Sequence, residues 1–217
     1  MRSHVVQAVP VSAIIGFLLG CASWVAAMKL TAGTRGGGRD ERTLLLLSGV
    51  SGSGVLAVTA LRSGGDPNHV ALIAILAIPL LITLLTDIQA RLVFPIVLLP
   101  GLLGALPVAA SGSLGVPLKA ALISGGVAAA VTALLVALSR WISRGSKEPS
   151  LGSGEILIVA TIGAMLGPDR TPAVLFAGVM MGAVVAGLLL LTRRAHRHDV
   201  IPYGAFLCGA ALVALAL

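Results

Sequence analysis

The chain reads as an all-α, polytopic integral membrane protein of about eight transmembrane helices. Three observations predict this. Hydrophobic residues make up 57% of the 217 and charged residues 11%. The mean hydropathy is +1.05, well above what a soluble core of this size needs. Runs free of Asp, Glu, Lys and Arg recur along the whole chain, and they do not alternate polar with apolar residues as barrel strands would.

The charge-free runs cover 3–28, 43–61, 67–86, 92–118, 120–139, 156–168, 171–192 and 200–217. A helix needs roughly 20 apolar residues to cross the hydrocarbon layer, so most of them are long enough. The run 156–168 is short and borrows Leu151 to Glu155, which draws Glu155 to the membrane boundary. The chain is organised as a single membrane domain, 1–217. It has N-terminal helices at 8–30 and 43–61, a core at about 67–192 and a C-terminal helix at 200–217.

Orientation follows from the basic residues. With the N-terminus outside, eleven Lys and Arg fall on the inner side: Lys29, Arg35, Arg39, Arg42, Arg91, Arg140, Arg144, Lys147, Arg193, Arg194 and Arg197. Arg2, Arg62, Lys119 and Arg170 remain outside. This is the positive-inside pattern, and an even helix number puts both termini outside a cytoplasmic membrane. The net charge of +7 is then a topology signal and a contact with anionic lipid. With aromatics at 3% there is little to stack on bases, so nucleic acid is not an expected partner.

Other features are read as packing. Leu18-Leu19-Gly20-Cys21 resembles a lipoprotein cleavage site, but the apolar run continues past it and a positive cluster follows, which favours a retained helix. Cys21 and Cys208 fall inside separate helices and suggest neither a disulfide framework nor a zinc site. Gly16 with Gly20, and Gly178 with Gly182, form GxxxG pairs that let helix backbones approach closely. Pro79, Pro100 and Pro107 kink or bound their helices. His196 and His198 on a basic loop are read as solvated, and no metal site is expected.

Eight acidic residues occur in all, and six lie in polar connectors. Asp87 and Glu155 instead sit where long apolar runs meet basic loops. Acids at a membrane boundary are expensive and usually functional. Asp87 opens TDIQARLVFPIVLLPGLLG, and Glu155 ends the small-residue turn of SLGSGEILIVATIGAMLG.

These segments resemble the type IV prepilin peptidases, membrane aspartic proteases of the GxGD kind. Asp87, Arg91, Pro95 and Pro100 match an aspartate, a basic loop and a following proline-bearing helix, with Pro95 displaced by about one position. Gly152, Ser153, Gly154 and Glu155, then Gly163, Leu166 and Gly167, are similar to the GxGD element and its apolar helix. IPYGAFLCGA, carried by Ile201, Pro202, Tyr203, Gly204, Phe206, Leu207 and Gly209, is similar to the family's C-terminal Ile-Pro-Phe-Gly segment. The first helix, with Gly20 and Cys21, resembles the family's N-terminal Gly-Ser segment.

The resemblance implies an endopeptidase that removes the basic leader of prepilin-like proteins at the cytoplasmic face. Asp87 and Glu155 would be the catalytic pair, with Gly152, Gly154, Arg91 and Pro95 shaping the site and no metal or organic cofactor required. Gly152 and Gly154 would let the substrate backbone come close. Three departures stand out. The loop from about Thr31 to Arg42 carries no cysteine, so the zinc-binding insert associated with N-methylation is absent and cleavage without methylation is implied. Glu155 replaces an aspartate and reaches about one C–C bond further. Ile156-Leu157 replaces a Val-Lys pair. Two other readings remain: a degenerate member that binds pilin-like helices without cutting, and a small ion-coupled transporter with the acids at its ion site. Oligomeric state is not legible.

Overall fold

The structure, a computed structural model, describes residues 2–32, 41–113, 115–142, 153–193 and 202–217. Its described residues form seven helical elements: α1 (Arg2–Thr31), α2 (Glu41–Arg62), α3 (Pro67–Ala90), α4 (Pro95–Ala110), α5 (Leu118–Ile142), α6 (Ser153–Leu191) and α7 (Tyr203–Ala216). Five contain segments long and apolar enough to cross a membrane: Ala8–Thr31, Leu44–Arg62, Pro67–Ala90, Leu118–Trp141 and Gly154–Leu191. α4 and α7 are shorter apolar helices. Large side chains such as Ile96, Leu134 and Phe176 stand on the outside, as the lipid-facing surface of a polytopic membrane protein requires.

Eight helices are predicted from the sequence, and the two expected at 156–168 and 171–192 both fall within α6. α6 consists of two helices that meet at Gly167, where φ is 70° and ψ is −179°; Ile158 before this point and Gly182 after it both meet the first turn of α7, so the second helix turns back along the bundle. Pro168, Asp169 and Arg170 follow at once, in the first turn of the second helix. Thr171 donates its hydroxyl to the Gly167 carbonyl across the break at 2.5 Å, and Ser124 of α5 donates to Thr171 at 3.2 Å.

The run 92–118 yields only the 16 residues of α4. Pro95 starts it, with Phe94 in the extended conformation that a residue before proline favours. α7 starts at Tyr203 rather than at 200. At about 1.5 Å per residue, the 16 residues of α4 reach roughly 24 Å, short of the ~30 Å hydrocarbon layer.

α3 is the central helix. Asp66 caps it by accepting the Asn68 N–H at 3.0 Å, and Pro67 occupies its first turn, where a missing N–H costs nothing. Ile73, Leu76, Leu80, Leu81 and Leu85 are buried along it, and it packs against α1, α2, α4 and α7. α1 and α2 form a tight pair in which Gly16 and Gly20 lie against the backbone of Gly52, Ser48 and Gly49. Gly178 and Gly182 meet α7 at Leu207, Tyr203 and Phe206, so both GxxxG pairs mediate helix contacts. Pro79 of α3 lies against Gly101 of α4.

Candidate active site

Asp87 lies near the C-terminal end of α3, just before the helix stops at Arg91. Arg91 adopts the left-handed conformation, φ 56° and ψ 36°, and its N–H donates to the Asp87 carbonyl at 2.9 Å. A non-glycine residue is uncommon there, and this turn sends Val93, Phe94 and Pro95 back across the end of the bundle. Thr31, fully buried at the end of α1, donates its hydroxyl to the Gln89 side chain at 2.9 Å. The α3 terminus is thus held from a second helix.

The Asp87 side chain points inward and is 5% exposed. Its Oδ2 accepts the backbone N–H of Ala205 at 2.7 Å, and Gly204 lies directly against it. Both residues belong to the first turn of α7, whose N-cap residue Pro202 supplies no side-chain cap. The first N–H groups of a helix lack partners within it and carry partial positive charge, so a carboxylate from elsewhere is a suitable cap. Gly204 is required by the fit: a methyl there would stand 3.0 Å from Asp87 Oδ2 and 2.9 Å from Ile158 Cδ1.

Ile158 is fully buried on α6, and Glu155 precedes it by three residues, on the same side of the helix. Glu155 is half-buried. It lies at the same end of the bundle as Asp87 and within its electrostatic reach, as does Arg91. Three helices therefore converge: α3 supplies Asp87, α6 supplies Glu155 and Ile158, and α7 supplies Gly204 and Ala205.

Gly154 packs closely against the loop that follows Asp87. A methyl there would stand 2.6 Å from Val93 Cβ, so the space beside Gly154 is filled by the loop that follows Asp87. The glycine lets α6 begin directly beneath that loop. Pro95 starts α4 and sets where the same loop ends. Gly152 lies outside the described residues, as do His196 and His198. Gly204 and Ala205 emerge from the structure as neighbours of the acid. The sequence signal for them was the IPYGAF segment, which pointed to resemblance without indicating a contact.

Among the described residues, no group of three or more His, Cys, Asp and Glu is placed to hold a metal ion. A polar cavity of about 590 Å³, lined by Arg62, Asp66, His69, Asp169 and Arg170 among others, opens at the other end of the bundle. Asp66 precedes Asp87 by 21 positions along α3, roughly 30 Å. The cavity is therefore separate from the carboxylates.

Comparison with known proteins fits this arrangement. No solved structure matches the chain. Two relatives from Aeromonas salmonicida, one of them from strain A449, are each named prepilin leader peptidase/N-methyltransferase. Each is 34% identical over 68 residues, which is 31% of this chain and 23% of the relative. The match thus spans less than a quarter of those proteins. The model of the type IV leader peptidase family matches residues 74–187, a span of more than half the chain that contains both Asp87 and Glu155. The chain belongs to the type IV leader peptidase family.

Proposed function

We propose that this protein is a membrane aspartic endopeptidase that removes the basic leader of prepilin-like proteins at the cytoplasmic membrane face, with Asp87 and Glu155 as its catalytic pair. The observation that carries this reading is the convergence of α3, α6 and α7 on a buried Asp87 with Glu155 in electrostatic reach. Family membership supports the substrate class. The eleven-to-four distribution of basic residues supports the cytoplasmic placement of this end and the outward placement of both termini.

Two neighbouring carboxyl groups do not both ionise cheaply, so the pair shares a proton. The ionised member takes a proton from water as that water attacks the scissile carbonyl. The protonated member donates to the carbonyl oxygen, giving a tetrahedral diol. As the C–N bond breaks, the carboxyl that took the water's proton gives it to the departing amine, the other carboxyl takes back a proton from a diol hydroxyl, and the starting state is restored. α7 orients Asp87 through the Ala205 amide, and Arg91 holds the loop beside it. The short 31–42 connection has no cysteine, which supports cleavage without N-methylation.

The test is co-expression of candidate prepilins with the wild type, Asp87→Asn, Glu155→Gln and Glu155→Asp in membranes. Cleavage by the wild type that is lost in both amide variants is expected. Glu155 is the specific observation that favours a second reading, a family member that binds pilin-like helices without cutting. That reading expects cleavage only after Glu155→Asp, or substrate association that survives loss of either carboxylate.

A further inference from the structure

Thr83 lies four residues before Asp87, on the same face of α3 and one turn deeper in the bundle. It is fully buried, yet its hydroxyl makes no hydrogen bond. Three other buried threonines behave differently. Thr59 donates to the Val55 carbonyl at 2.8 Å, Thr161 to Leu157 at 2.8 Å and Thr171 to Gly167 at 2.5 Å, each four residues back. Beside Thr83, Thr86 donates to the Thr83 carbonyl at 3.1 Å. Thr83 has the same option and does not use it. Among the described residues two other buried side-chain polar atoms lack a partner, Ser23 Oγ and Trp24 Nε1, and both belong to α1.

The surroundings of Thr83 are those of the active site. Gly204 touches Asp87 at the mouth of the α3–α7 contact. One turn further along α7, Cys208 is fully buried and within electrostatic reach of Asp87. The next level is fixed by Leu84, whose Cδ1 lies 3.8 Å from where a Cβ on Gly209 would stand. Positions 83 and 87 on α3 thus run antiparallel to 208 and 204 on α7. A buried hydroxyl that forgoes its own helix carbonyl beside a buried carboxyl needs another partner.

We propose that Thr83 is a positioning residue for the active site: its hydroxyl binds a water molecule that bridges to the Asp87 carboxyl and fixes its orientation toward Glu155. Residues four apart on a helix have Cβ atoms about 5–6 Å apart, a gap that one water with two hydrogen bonds of about 2.8 Å can span. Buried waters characteristically serve polar groups that lack protein partners. The Ala205 amide holds one side of the carboxyl and the water holds the other. The catalytic consequence rests on the peptidase reading, whereas the water bridge itself does not.

The experiment compares the intact protein in lipid nanodiscs as wild type, Thr83→Val, Thr83→Ser and Asp87→Asn. Infrared spectra of acidified samples identify the carbonyl stretch of protonated Asp87 as the band missing from Asp87→Asn. Thr83→Val, nearly the same shape without the hydroxyl, is expected to move that band to higher frequency, and Thr83→Ser to leave it in place. In prepilin cleavage, Thr83→Val is expected to lower kcat by about tenfold with KM unchanged, and Thr83→Ser to restore it. A band that stays put in Thr83→Val overturns the proposal. Thr83→Ala gives the same comparison if the valine variant does not fold. Absence of cleavage by the wild type counts against the peptidase reading alone, because the infrared band still decides the bridge.

Discussion

Oδ2 of Asp87 accepts the backbone N–H of Ala205 at 2.7 Å, across 118 positions of sequence. This bond joins the C-terminal end of α3 to the N-terminal end of α7 and does two things at once. It satisfies an amide in a helix first turn that has no side-chain cap of its own, and it fixes one oxygen of the candidate acid. The geometry of the site therefore depends on a helix that contributes no acid to it.

Gly204→Ala tests that dependence. The added methyl would press on Asp87 Oδ2 and Ile158 Cδ1, at 3.0 and 2.9 Å. Overpacking of this kind costs about 1–3 kcal/mol. Prepilin cleavage is expected to fall by about tenfold or more, because even a small shift of a reacting group is costly. Thermal unfolding and kcat/KM, measured side by side, check both parts.

Gly154 and Val93 form a second contact that can be probed as a pair. Gly154→Ala places its methyl 2.6 Å from Val93 Cβ and is expected to destabilise the protein and weaken cleavage. Val93→Ala should relieve part of the loss. The double-mutant cycle is expected to give a coupling of about 0.5–3 kcal/mol; simple additivity would mean that the two residues do not constrain one another.

At Gly167 the backbone conformation, φ 70° and ψ −179°, belongs to a region open essentially to glycine alone. Gly167→Ala is expected to cost on the order of 1–3 kcal/mol in strain, and the methyl would also meet Val116 Cγ1 at 2.9 Å. Gly187→Ala, in the second helix of α6 with nothing within 4 Å of its added methyl, is the control. It should be neutral or stabilising by about 0.5–1 kcal/mol. Reversible unfolding in detergent separates the two.

Gly16→Ala drives a methyl into the Gly52 carbonyl and is expected to separate α1 from α2. A loss of about 1–3 kcal/mol is expected, read as a lower unfolding midpoint. A larger residue at Gly54, where nothing lies within 4 Å, should be tolerated.

The helical, membrane-crossing character of this chain was legible from its sequence because it depends on local quantities. In hydrocarbon each backbone amide must find its partner within its own helix, so the length of a charge-free run nearly decides whether it becomes a helix. Asp87 and Glu155 stand out as candidates in the sequence for the complementary reason, as acids placed where charge is expensive. The sequence also carried the family resemblance, through ordered segments at Asp87, at Glu155 and at IPYGAF.

Relations between helices were decided only by the tertiary structure. The turn between the two helices of α6 is made at Gly167 with no separate loop, and Ser124 of α5 bonds Thr171 beside it. Gly154 faces Val93 of the loop after Asp87, a contact that its sequence context does not indicate. Ala205 became the partner of Asp87 although nothing in its local sequence sets it apart from other small apolar residues. Helix formation follows from hydrogen bonds within a turn and from the hydrophobicity of a run, which composition and spacing express. Which faces then meet depends on side-chain shape across residues far apart in the chain, and that is fixed only when the helices pack.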